Sequence, residues 1–87
     1  MKLVFWPTAW ADYLHWQADA KALDRLNGLI KECLHDPFRG TGKPEPLSGN
    51  LSGWWSRRIN REHRLVYRVT GKDKARALEV LACRYHY

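Results

Sequence analysis

The chain opens with a short apolar run, Lys2 to Phe5, that halts at Trp6-Pro7. Proline lacks an N–H that the first helical position would leave unpaired anyway, so this pattern predicts a strand followed by a helix. Trp10, Tyr13, Leu14 and Gln17 then share one helical face. The next stretch is more regular. Leu23, Leu26, Ile30 and Cys33 form a stripe widened by Leu29 and Leu34, and Asp36-Pro37 ends it, because a residue before proline is pushed out of the α region. An antiparallel pair of helices is expected here.

Residues 37 to 50 contain Pro37, Gly40, Gly42, Pro44, Pro46 and Gly49, a density of breakers that neither a helix nor an interior strand accepts. The expectation is a long loop, and structureless connections of this length are uncommon in compact domains unless they have a function. Beyond it the period changes to two. Leu65, Tyr67 and Val69 alternate with Arg64, Val66 and Arg68, as in a strand with one face on a core and the other turned outward. Trp54 to Ile59 reads as its partner across the polar turn Asn60-Arg61-Glu62-His63, and Leu78 to Tyr85 as a further strand after the turn Thr70 to Lys74. Helices first and antiparallel strands afterwards predict an α+β fold, two N-terminal helices packed on one face of a twisted, mainly antiparallel sheet.

Length and charge narrow the reading. Eighty-seven residues suffice for one domain, 1–87, with a single core of modest size, so help from a partner is plausible. Lys and Arg number 15 against 9 Asp and Glu, a formal charge of +6 that draws the chain toward RNA, DNA or an acidic protein. Cys33 and Cys83 form no ligand spacing, and His15, His35, His63 and His86 are dispersed, so neither a zinc site nor a disulfide framework is expected. Reduced cysteines, an opening apolar run too short for a signal peptide and no stretch long enough for a membrane span predict a cytoplasmic protein without membrane attachment.

Metal-independent RNA cleavage needs a base for the 2′-hydroxyl proton, cations for the phosphate and an acid for the departing 5′-oxygen, with no cofactor. Glu45 stands between Pro44 and Pro46, whose fixed dihedrals hold a carboxylate in one direction; the same residue also reads as a solvated loop charge. Arg57, Arg58, Arg61, Arg64 and Arg68 form a basic group over two strands and their turn, and Arg58, Arg64 and Arg68 have the parity to share a face. Guanidinium forks bind phosphate oxygens bidentately and stay charged, although a plain solvated sheet face would look alike. The chain ends Tyr85-His86-Tyr87, where the terminal carboxylate would favour the imidazolium form of His86 that a general acid must have. No serine or cysteine nucleophile motif occurs.

In order along the chain, these features resemble the YoeB branch of the RelE-type toxin superfamily. The likeness is carried by Met1-Lys2-Leu3, Tyr13-Leu14-His15-Trp16-Gln17, Gly42-Lys43-Pro44-Glu45-Pro46-Leu47, Asn50-Leu51-Ser52-Gly53, Trp55-Ser56-Arg57-Arg58-Ile59, Glu62-His63-Arg64-Leu65-Val66-Tyr67 and Cys83-Arg84-Tyr85-His86-Tyr87, nearly the whole chain. The resemblance implies a RelE-like fold and a toxin that cleaves mRNA on the translating 70S ribosome, leaving a 5′-hydroxyl. In these terms Glu45 is the general base, Arg64 supports the phosphate, His86 is the general acid, Tyr87 assists and Arg58 is a secondary phosphate contact. It further implies a homodimer, silencing by a YefM-like antitoxin, and operator DNA bound only through the toxin–antitoxin complex.

Two departures stand out. Relatives often carry a lysine after Lys-Pro-Glu-Pro-Leu where this chain has Ser48-Gly49, a cationic role that Lys43 could assume. The final hairpin, Thr70 to Ala77, also looks longer and adds Lys72, Lys74 and Arg76. The competing readings are a non-enzymatic inhibitor of gyrase or the ribosome on the same fold, akin to ParE, and an RNA-binding module without catalysis.

Overall fold

Lys2–Phe5 forms strand β1, and Pro7, at the first helical position, opens helix α1 (Pro7–His15). The computed structural model describes residues 1–85. A 3-10 turn over Trp16–Ala18 leads to helix α2 (Ala20–His35), capped by the Asp19 carboxylate, which accepts from Ala22 N–H at 3.1 Å. The remaining strands are β2 (Glu45–Pro46), β3 (Trp55–Arg58), β4 (Arg64–Thr70) and β5 (Ala77–Ala82). They join β1 in one five-stranded sheet of order β1-β5-β4-β3-β2. Among the described residues β1–β5 is the one parallel pairing and the other three are antiparallel, so the expected α+β class and its mainly antiparallel sheet are borne out.

The α2 stripe meets the sheet as its periodicity predicts. Leu26, Leu29, Ile30 and Cys33 pack with Leu65, Tyr67, Leu78 and Val80 into the main core. Of the face expected for α1, only Tyr13 packs against the core. Trp10 and Leu14 are 50% and 51% exposed, whereas Ala9 and Trp16 are buried. Aromatic or aliphatic residues occur on both sides of this short helix, so periodicity does not settle its rotation. A tertiary bond does: Trp16 Nε1 donates to Cys83 O at 2.7 Å and fixes which side turns inward.

The other sheet face is also partly covered, contrary to the simple in/out alternation expected of β4. Trp54, Val66 and Ala82 make a second small cluster, against which Leu47 and Leu51 pack from the loop. Trp54 and Trp55 therefore both find cover, one on each side of the sheet. The breaker-rich segment is not wholly irregular: Glu45–Pro46 pairs as an edge strand and Gly49–Leu51 forms a 3-10 turn. An edge is where a strand tolerates prolines, since outward N–H groups need no partner.

Candidate active site

Register places the candidate groups on the face opposite the helices. Directly opposed residues in a sheet share a face, and side chains alternate along each strand. Glu45 opposes Ser56, Ser56 opposes Val66, and Arg58 opposes Arg64. Glu45, Arg58 and Arg64 thus project from the same side, the arginine pair one row beyond the glutamate. Ordinary strand spacing and rise put the Glu45 and Arg64 backbones roughly 12 Å apart, within reach of both side chains on one phosphodiester.

Each group is held differently. Arg58 N–H donates to Gly42 O at 2.7 Å, which laces the loop to β3 three residues before Glu45. Gly42 has φ +86°, and a Cβ there would lie 2.9 Å from Arg58 O, so only glycine permits this approach. Lys43 is the next residue, exposed and itself left-handed at φ +52°. Arg64 is anchored through Nη1, which donates to the turn carbonyls of Asn60 at 3.1 Å and His63 at 3.2 Å. Among the described residues its Nε and Nη2 have no hydrogen-bond partner, nor do the side chains of Glu45, Lys43 and Arg58. Among the described residues nothing therefore neutralises the cationic end of the face.

The C-terminal segment runs beside Arg64. The strand expected to continue to Tyr85 stops at Ala82, and side chains and backbone from other elements hold Cys83 and Tyr85 beyond it. Asp12 Oδ2 accepts from Cys83 N–H at 3.0 Å, and Trp16 Nε1 donates to Cys83 O. His63 Nδ1 accepts from Tyr85 N–H at 2.7 Å, while Arg64 N–H donates to Tyr85 O, also at 2.7 Å. The two remaining site residues read from the sequence, His86 and Tyr87, lie outside the described residues.

Two arginines of the basic group do not join the site. Arg57 alternates to the core side and is fully buried. Its Nη2 donates to Asp36 O (2.6 Å) and Arg39 O (2.7 Å), its Nη1 to Thr41 O (3.1 Å) and its Nε to Tyr67 Oη (3.1 Å). Tyr67 in turn donates to Pro37 O at 2.6 Å, and Glu32 Oε1 accepts from Thr41 N–H at 2.9 Å. This network shapes the first half of the loop. Burial pushes the Tyr67 phenol far up, so it remains a donor. Arg68 does share the face of Arg58 and Arg64, yet it pairs with Glu79 at 3.0 Å and lies 4.3 Å over the Trp54 ring. Alternation along β3 sets Arg57 on the face opposite Arg58, but with tryptophans at both 54 and 55 the sequence does not say which face is the core. The tail contacts of Asp12, Trp16 and His63 have no local signature.

Comparison with known proteins agrees with this architecture. Residues 5–87 match the family described as the YoeB-like toxin of bacterial type II toxin-antitoxin systems. The chain is 54% identical to the toxin YoeB of Synechocystis sp. over 88 residues, which cover 100% of this chain and 98% of the relative. It superposes on the YoeB/ParE toxin from Agrobacterium tumefaciens with a TM-score of 0.94 at 51% identity, both chains covered completely. A Staphylococcus aureus YoeB resembles it as a dimer (TM-score 0.87, 40% identity) and in a heterotetrameric YoeB–YefM complex (0.85, 42%), each covering 100% of this chain and 98% of the other. Family match and full-length likeness together establish that this chain belongs to the YoeB-like toxins of bacterial type II toxin–antitoxin systems.

Proposed function

We propose that the toxin acts as a ribosome-dependent mRNA endoribonuclease by metal-independent acid–base cleavage, with Glu45, Arg64, His86 and Tyr87 as its catalytic set. Glu45 takes the proton of a ribose 2′-hydroxyl, whose oxygen attacks the adjacent phosphorus. The P–O5′ bond breaks, and His86 returns a proton to the leaving oxygen, giving a 2′,3′-cyclic phosphate and a 5′-hydroxyl end. Arg64 faces the charge that builds on the non-bridging oxygens, and Arg58 and Lys43 add contacts to the neighbouring backbone. The observation that carries the reading is the common sheet face of Glu45, Arg58 and Arg64, with the backbone of Tyr85 bonded to Arg64. Tyr87 assists beside His86.

The partners are argued from the relatives and the surface. The S. aureus protein is solved with YefM, which supports a YefM-like antitoxin here, with operator DNA reached only through that complex. The dimer of that relative and an exposed apolar strip, Leu3 on edge strand β1 with Trp10 and Leu14 on α1, support a homodimer. Among the described residues nothing encloses the RNA on the cationic side, consistent with the 70S ribosome presenting the message in the cytoplasm.

Primer extension on translated mRNA, with and without ribosomes, tests the proposal. Cleavage that requires ribosomes and falls by about 10²-fold or more in Glu45→Gln and in His86→Gln supports it. Translation arrest that persists undiminished in the double variant replaces catalysis by simple occupancy of the target, the non-enzymatic alternative.

A further inference from the structure

His63 is the residue just before Arg64, and its ring is 16% exposed. It stands edge-on to Trp16 with centroids 4.8 Å apart and lies 5.7 Å from the Tyr85 ring. Its Nδ1 accepts the Tyr85 N–H at 2.7 Å. A ring nitrogen that accepts carries no proton, so this contact selects the neutral imidazole with its hydrogen on Nε2. The carbonyl of Tyr85 is taken by Arg64 N–H. Consecutive residues of β4 and its turn therefore grip both polar backbone atoms of one residue in the tail. Tyr85 has φ +65°, a conformation a bulky residue keeps only when its surroundings impose it.

We propose that His63 is a positioning residue, whose neutral imidazole clamps the Tyr85 amide and so sets the point from which the chain continues to His86 and Tyr87. This rests on the nuclease reading above. Protonating His63 replaces the acceptor by a second N–H facing the Tyr85 N–H, and the clamp opens. The charged groups around the ring are few. Glu62 Oε2 is 4.0 Å from Nε2, Arg64 Nη1 donates to the His63 carbonyl at 3.2 Å, and the Arg84 guanidinium lies 4.8 Å over the Tyr85 ring. From the helical side the ring meets the neutral Trp16 indole, with His15 packed against that indole at 5.2 Å and Asp12 held by Cys83 N–H.

Full-length wild type, His63→Asn and His63→Phe separate this from a merely structural role. Asparagine puts an amide oxygen near the Nδ1 position without titrating, and phenylalanine keeps a ring against Trp16 without an acceptor. The Tyr85 amide is followed by hydrogen exchange in NMR over about pH 5 to 8, corrected for intrinsic exchange, alongside the His63 ring resonances. Expected is a protection factor that drops about tenfold or more in wild type as the His63 ring protonates, stays high in His63→Asn and is low throughout in His63→Phe. In ribosome-dependent cleavage, His63→Phe lowers kcat by about tenfold with little change in KM, and His63→Asn restores kcat. Tyr85 protection indifferent both to His63 substitution and to its titration overturns the clamp. The exchange readout needs no RNA, so a wild type that shows the clamp but cuts no message overturns the nuclease reading and leaves the clamp itself standing.

Discussion

At the scale of single residues, neighbouring cations of one type have quite different surroundings. Arg64 is pre-aimed because its Nη1 is bonded to turn carbonyls, whereas Arg58 is exposed and has no such anchor among the described residues. A fixed guanidinium stabilises developing charge without reorganising, and a mobile one contributes attraction alone. Arg64→Lys is accordingly expected to cost about 10²-fold or more in single-turnover cleavage, and Arg58→Lys less than about tenfold, felt chiefly in KM. Equal losses would show that the turn anchor contributes nothing. The cysteines make the opposite case, of groups kept inert. Burial pushes the Cys33 thiol up to about 11 and the Cys83 thiol up to about 12, the latter helped by the Asp12 carboxylate. Both should resist a thiol reagent such as DTNB at about pH 8 and react only on denaturation. Rapid labelling of either in the native protein would contradict that placement.

At the scale of elements, the loop from Asp36 to Pro46 is a built support for Glu45. Its first half is fastened by Arg57, Tyr67 and Glu32, its middle by the Gly42–Arg58 backbone bond, and its end by pairing of β2 with β3. Arg57→Met would strand three loop carbonyls and take a donor from the Tyr67 hydroxyl, at a cost of about 3 kcal/mol or more in unfolding free energy. Gly42→Ala is a more local probe. Its Cβ collides with β3 backbone in a left-handed conformation, so it should cost about 1–2 kcal/mol and displace Glu45. Since a shift of about 1 Å in a reacting group can lower rate about 10²-fold, cleavage should fall further than the unfolded fraction explains. Chemical denaturation and single-turnover cleavage on the same sample check both parts, and activity that tracks stability alone would remove the loop's positioning role.

At the scale of the molecule, two carboxylates outside the site tie the sheet to the helices and loop. The Trp6 indole N–H, the Thr70 hydroxyl and Arg68 all donate to Glu79, in that order holding its carboxyl below the usual range. Glu32 is lowered likewise, first by the Thr41 N–H and then by Arg57. The folded protein therefore binds fewer protons at these groups than the unfolded chain. Their contribution is complete above the ordinary glutamate value, about 4.3, and is lost as pH falls through the lower values they hold in the fold. Thermal unfolding should show wild type and Glu79→Gln well separated at neutral pH and converging as the solution is acidified below about pH 4. Curves that stay parallel through the acid range would mean that the Glu79 carboxylate does not support the fold.

Period and punctuation determined the elements: the α2 stripe, the alternation of β4 and the stop at Pro37 all depend on neighbours a few residues apart along the chain. The shared parity of Arg58 and Arg64 likewise foretold their common face, because an antiparallel pair with a short turn leaves little freedom of register. What only the tertiary structure decided are relations between distant residues. Edge pairing brought Glu45 onto the arginine face, Arg57 went under the loop rather than to the surface, and α1 turned Ala9 and Trp16 inward. The same holds for the tail, whose grip by Asp12, Trp16 and His63 links positions 22 to 71 residues apart. Local propensity carries no information across such separations, since these contacts exist only once the sheet has closed and the entropy of ordering the loop has been offset.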